Sequence, residues 1–229
     1  MLFLSCAPPA QRSKWIPGLY KYDTSAAGAG YIATYDPSSK KATKLTADGF
    51  ESPRGLSPFG MDAVPSAHNP GELTIYVINI RPPFVDLDPN LPPGIREAKR
   101  DEIATALAKR EGPDPCIEVF QYVLGSESMQ YVATWADEKI MISLGDVVGL
   151  PDGTGSWFTN VVHYKADMVR LSHSKYSQPL ISGYGIVQRS SPNPRTNGLF
   201  DWVLRSQWMQ IRRHWAFWCL GNRTISIPQ

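Results

Sequence analysis

Three cysteines, Cys6, Cys116 and Cys219, are spread over 229 residues. Their wide, unpatterned spacing rules out a cysteine-built zinc cage and leaves room for one disulfide at most. The four histidines (His68, His163, His173, His214) stand in no recognisable Ser/Cys-His-acid setting, and no Gly-x-Ser-x-Gly elbow occurs, so the usual nucleophilic triads have no support. No apolar run approaches the ~20 residues that a bilayer span needs. The 23 basic and 21 acidic residues leave a formal net charge of +2, too little for a field that would hold a nucleic-acid backbone. A phosphate cradle is missing as well, because AAGAGYIA lacks the closing glycine and a suitable preceding strand.

Proline and glycine are abundant instead, with 20 and 18 residues, which interrupts long helices and suits short strands joined by turns. The expected fold is all-β. YIATYDP and KKATKLT, joined by Pro37-Ser38-Ser39, read as a hairpin. ELTIYVINI, residues 72–80, is β-branched and aromatic throughout and reads as a strand buried on both faces. CIEVFQYVL, a Gly125-Ser126 turn and MQYVATW form a second hairpin, with Glu118, Phe120 and Tyr122 on one face. A third pair flanks Pro151-Asp152-Gly153. Short strands recurring about every 10 residues point to a barrel, sandwich or propeller.

Two segments depart from this pattern. Residues 82–115 carry Pro/Asp/Leu alternation and then REAKRDEIATALAKRE, a helix of about four turns. There Glu97 and Arg100 are spaced to pair, and Ile103 and Leu107 form a narrow apolar stripe. This insertion reads as a solvated excursion, with a lid over a binding face as the alternative. From residue 200 to 229 the chain holds four of its seven tryptophans (Trp202, Trp208, Trp215, Trp218) with four arginines and a single acid, Asp201. It reads as a segment out of register with the rest, or as a membrane-surface or protein-binding tail through residues 200–220. Met-Leu-Phe-Leu-Ser-Cys resembles the end of a secretion signal without a basic start. Compartment is therefore left open.

Among single residues, His163 follows the strand core WFTNVV and is the one candidate for a pocket imidazole, a solvated strand-end histidine being the plain alternative. Asp146 precedes a β-branched pair, where a carboxylate serves either a hard cation or a turn N–H. Asn222-Arg223-Thr224 fits a glycosylation acceptor.

GFESPRGLSPFGMDAV, ELTIYVINIRPP and ISLGDVVGLPDGTGSWFTN together resemble the serum paraoxonase/arylesterase family, its fungal members most, and more distantly the gluconolactonase-type propellers. Order and spacing correspond from about Cys6 to Gly198. The resemblance implies a six-bladed β-propeller with two calcium ions in its tunnel that hydrolyses lactones and aryl esters, often as a secreted protein. Residues 1–199 would then be a partial propeller interrupted by the 82–115 insertion. At roughly 40–45 residues per blade this length allows about four blades.

Carried over position by position, the family's two water-activating histidines correspond to Phe59 and Ile80, neither of which takes up a proton. Of the calcium ligands, Asp146 corresponds to the carboxylate of the structural ion, Asn197 to an amide ligand, and Met61 to a backbone carbonyl ligand. An Asn is replaced by Gly145, and the Glu-Asp pair is expected upstream of Leu2. The Thr-Asn-Asp-His run reads Thr159-Asn160-Val161-Val162-His163 and loses its acid. Calcium takes 6–8 oxygens, so the set is incomplete. The resemblance thus implies a paraoxonase-like pseudoenzyme meeting a small apolar ester or lactone. The alternative is a binding or interaction module with an apolar mouth of Phe59, Ile80 and Trp157; a third reading keeps turnover through His163 as base.

Overall fold

The computed structural model describes residues 1–67, 69–150 and 153–161, together with the backbone of residues 187–190. His163, Asn197 and the tail from residue 200 lie outside them. The described chain is mostly strand with two α-helices: β1 (Leu2–Cys6), α1 (Pro9–Lys14), β2 (Trp15–Ile16), β3 (Lys21–Tyr22), β4 (Tyr31–Asp36), β5 (Lys41–Lys44), β6 (Thr46–Asp48), β7 (Pro58–Pro65), β8 (Glu72–Arg81), α2 (Pro93–Glu111), β9 (Asp114–Val123), β10 (Ser128–Trp135), β11 (Leu144–Gly149), β12 (Ser156–Asn160) and β13 (Val187–Ser190).

The organising element is β8. It runs antiparallel between β7 and β9, within a five-stranded sheet of order β6-β10-β9-β8-β7 whose last four strands form a consecutive meander. Ile75, Tyr76, Val77, Ile78 and Asn79 have no exposed surface. Because strand side chains alternate between faces, these residues feed two different cores. Ile75 and Val77 join Ile32, Leu45, Leu56, Phe120, Tyr122 and Met129 on one face. Tyr76 and Ile78 join Ile117, Val119, Leu144, Val147 and Phe158 on the other. Burying each such side chain contributes about 1.5–3 kcal/mol, so a sheet covered on both sides needs the continuous apolar run seen in this strand.

The two covering layers come from the flanking sheets, β1-β4-β5 on one side and β11-β12-β13 on the other. β1 is the stretch that resembles the end of a secretion signal; its five residues pair antiparallel with all but the last of β4. The β4–β5 turn is held by Asp36, whose carboxylate accepts from the Ser38 amide at 2.9 Å and the Ser39 hydroxyl at 2.6 Å. Those bonds, the Ser39 hydroxyl first, hold its pKa below the usual carboxylate range.

The helix in the insertion is longer than its composition suggests and turns a face of small residues inward. Proline at its start and Lys109 and Arg110 in its last turn suit the helix termini. Ile103 is exposed, while Ala104 and Ala108 are buried. Ala108 packs with Trp15 and Tyr22, and Thr24 bonds the Asp101 carbonyl at 2.9 Å and the Thr105 hydroxyl at 2.8 Å. The spacing 101, 104, 105, 108 is one helical face. It lies so near the 15–27 segment that alanine and threonine fit there and the isoleucine points to solvent. No helix among the described residues is long and apolar enough to cross a membrane.

Candidate functional site

Phe59, Gly60 and Met61 occupy an irregularity where the β7–β8 register shifts between Pro58 and Met61. A matching shift falls between Leu144 and Asp146 in the β11–β12 pair. The two irregularities meet: a Cβ on Gly60 would lie 2.9 Å from the Gly145 carbonyl oxygen and 3.3 Å from the Asp146 Cα. Only glycine permits that approach. Bulges re-aim side chains at such crossings, and here Phe59 emerges 57% exposed. Asp62 secures the crossing, its Oδ2 accepting from the Gly149 amide at 2.9 Å.

Ile80, on the neighbouring strand, turns inward. It packs against both the Tyr76–Phe158 core and the Trp15–Tyr22 cluster; its amide donates to the Ser57 carbonyl at 3.0 Å, and its carbonyl accepts from Trp15 Nε1 at 2.9 Å. Met61 is half-buried, pairs with Val77 and packs on the first core. Trp157 is half-buried on β12, opposite Val148. Asp146 is exposed; its Oδ1 accepts from the following amide, Val147, at 2.9 Å, and its own amide donates to Thr159 Oγ1 at 3.1 Å. The structure therefore brings Phe59, Gly60 and Asp146 together at one strand crossing.

A calcium ion there would find the carboxylates of Asp146 and Asp62, both already accepting backbone amides, against the 6–8 oxygens it takes. Among the described residues, no group of three or more His, Cys, Asp or Glu side chains is placed to hold a metal. The described donors by themselves do not make up a calcium site.

A second constellation lies on the face of β8 and β9 that carries Ile75, Val77, Phe120 and Tyr122. Asn79 and Glu118 are both fully buried. Asn79 Oδ1 accepts from the Ser57 amide at 2.7 Å, and its Nδ2 donates to the Gly55 carbonyl at 3.1 Å and to Glu118 Oε1 at 2.9 Å. Glu118 also accepts from Cys116 Sγ at 3.2 Å and from the Thr134 hydroxyl. Burial, and then the charge of Glu118, push the Cys116 thiol well above its ordinary pKa, so it is a protonated donor at neutral pH. At the outer end Arg54 and Arg81 share the Asp114 carboxylate, at 2.5 and 2.9 Å.

The network fixes the Ser52–Ser57 loop to the central sheet through Asn79, and Ser57 passes the connection on by accepting from the Gly28 amide at 2.9 Å. Sequence reasoning placed Glu118 on a strand face and stopped there. The available signal was the alternation itself: in CIEVF and YVINI the polar Glu118 and Asn79 fall at inward positions, where a polar group must find a partner. Charge-neutral donors converge on this carboxylate, which holds the Asn79 amide, the Cys116 thiol and the Thr134 hydroxyl together.

No protein-family model matches the chain, and no curated protein matches it.

Proposed function

We propose that the chain is a paraoxonase/arylesterase-like protein that has exchanged hydrolysis for binding, a non-catalytic module meeting a small apolar ester or lactone at the Phe59 crossing. The observation that carries this reading is the pair of hydrocarbon side chains, Phe59 and Ile80, on adjacent strands at the positions where the resemblance puts water-activating histidines. General-base work needs a group that takes a proton within hydrogen-bond reach of a water; a phenyl ring and a sec-butyl group have none.

The propeller reading draws support from the layering. Propeller blades are four-stranded antiparallel sheets stacked face on face. The β7-β8-β9-β10 meander has that strand order, and its two faces are covered by sheets that come before and after it in sequence.

Hydrolysis of phenyl acetate and of a γ-lactone, followed with added calcium and with chelator, tests the proposal. The expected result is a rate indistinguishable from buffer in both. Calcium-dependent turnover that survives purification overturns it, and a His163→Ala variant then shows whether His163 supplies the base.

A further inference from the structure

A groove of about 590 Å³ lies between the insertion and the loops around Gly28 and Ser52–Gly55, away from the Phe59 crossing. One wall is the Pro82–Leu87 strip, from which Phe84 projects 68% exposed. The opposite wall is α2, which presents Arg96, Arg100 and Ala104 at i, i+4 and i+8. Arg54 forms part of the floor.

These guanidiniums differ in how they are engaged. Arg54 is tied to Asp114 and to the Pro82 carbonyl at 3.0 Å, with Phe84 beside it, the ring centre 5.9 Å from the guanidinium carbon. Arg96 donates through Nη2 to the Pro89 and Leu91 carbonyls, tying the segment just before α2 to the helix; its Nε is buried and has no hydrogen-bond partner among the described residues. Arg100 enters no ion pair among the described residues. Asp86 and Asp101 also line the groove, and Asp114 is shared by Arg54 and Arg81. Among the lining residues three guanidiniums, Arg54, Arg96 and Arg100, accompany two carboxylates, Asp86 and Asp101, leaving one positive charge in excess.

We infer that this groove binds a small monoanionic carboxylate with an apolar body, such as an arylalkanoic acid, its carboxylate between Arg100 and Arg96 and its hydrocarbon on the Phe84 strip. A single excess charge matches one carboxylate, while Asp86 and Asp101 disfavour a dianion. Guanidinium forks suit carboxylates, and the arginines held at Arg54 and Arg96 need little ordering on binding. The neutral ester or lactone proposed for the Phe59 crossing would leave the excess charge unanswered, so this is a different site with a different ligand.

Calorimetric titration of the full chain with 3-phenylpropionate, its neutral amide and inorganic phosphate tests the inference. The expected result is saturable binding of the acid, none of the amide, and phosphate at least tenfold weaker. Arg100→Gln should weaken the acid roughly tenfold, since one charge-assisted bond is lost. Phe84→Ala should weaken phenylpropionate and leave acetate unchanged. Both side chains are outside the core, and unchanged unfolding midpoints confirm intact folds. Absence of acid binding, equal binding of acid and amide, phosphate binding as tight as the acid, or an Arg100→Gln variant that binds like the parent would each overturn the inference. None of these outcomes depends on whether the chain hydrolyses esters.

Discussion

Asn79 Nδ2 lies 2.9 Å from Glu118 Oε1 in the interior of the central sheet, where neither side chain reaches solvent. Each holds something the other cannot: Asn79 grips the Gly55 and Ser57 backbone, and Glu118 gathers Cys116 and Thr134. Removing one member leaves buried donors or acceptors without partners, at about 1–3 kcal/mol for each such group. Asn79→Leu and Glu118→Leu should each lower the unfolding free energy by about 2–4 kcal/mol. The double variant should lose less than the two together, as expected for groups in one network. Urea unfolding of the four proteins provides the cycle; additive losses would show that the two residues act separately.

The strand crossing at Gly60 predicts a contrast between two glycines. Gly60→Ala puts a methyl group 2.9 Å from the Gly145 carbonyl oxygen and should destabilise by about 1–3 kcal/mol, as overpacking does. Gly94, in the first turn of α2, has nothing within 4 Å of a would-be Cβ. Gly94→Ala should stabilise slightly, by about 0.5 kcal/mol, through helix preference and a less free unfolded chain. Thermal midpoints moving in opposite directions would support both assignments.

Alkaline pH should reach the core through Cys116. Its folded-state pKa is raised, by burial first and by the Glu118 charge second. The folded state therefore favours the protonated thiol. That contribution is fully present below the ordinary thiol pKa, and it is lost as pH rises above that value toward the folded-state one. In a background of Cys6→Ser and Cys219→Ser, Cys116 should resist a thiol reagent at neutral pH and react in step with unfolding. Cys116→Ala should flatten the alkaline limb of the stability curve; an unchanged limb would place the titration elsewhere.

The acid side has its own reporter. Asp36 has a depressed pKa because the Ser39 hydroxyl and the Ser38 amide bond its carboxylate. Whatever stability it contributes is present above the ordinary carboxylate pKa and is lost as pH falls through the depressed value. A carboxyl-carbon NMR titration should place Asp36 below the exposed carboxylates of the chain, and Ser39→Ala should bring it back toward them.

Ala108 and Ile103 mark the buried and the exposed sides of α2. Ala108→Leu should cost about 1–3 kcal/mol by overpacking against Trp15 and Tyr22. Ile103→Gln, on the exposed side, should change the unfolding midpoint little.

Much of the strand content was legible in the chain, because alternation and turn residues act over a few positions. The hairpin read over 31–46, the doubly buried 72–80 strand and the hairpin read over 116–135 follow from local pattern, down to Phe120 and Tyr122 sharing a face, although Thr46 leaves the first hairpin to pair in parallel with β10. The helix was legible in composition, and its narrow apolar stripe at Ile103 and Leu107 fitted a solvated excursion. What the sequence left unread was that Ala104 and Ala108 would be buried against residues 15–27, a contact close enough to select small side chains. Similarly, β1 paired with β4 because an edge was available there, which five residues cannot announce.

Sequence alone determined that the chain is built of short strands, that its cysteine spacing forms no zinc-cage pattern, and that Phe59 and Ile80 are hydrocarbon. Tertiary structure decided what those strands enclose. It put Asn79 and Glu118 in one buried network across 39 positions, set Gly60 against Gly145, and drew Arg54 opposite Arg96 and Arg100 in a common groove. Each of these depends on distance in space between residues far apart along the chain, and periodicity carries no information about which face of one sheet will lie against which face of the next.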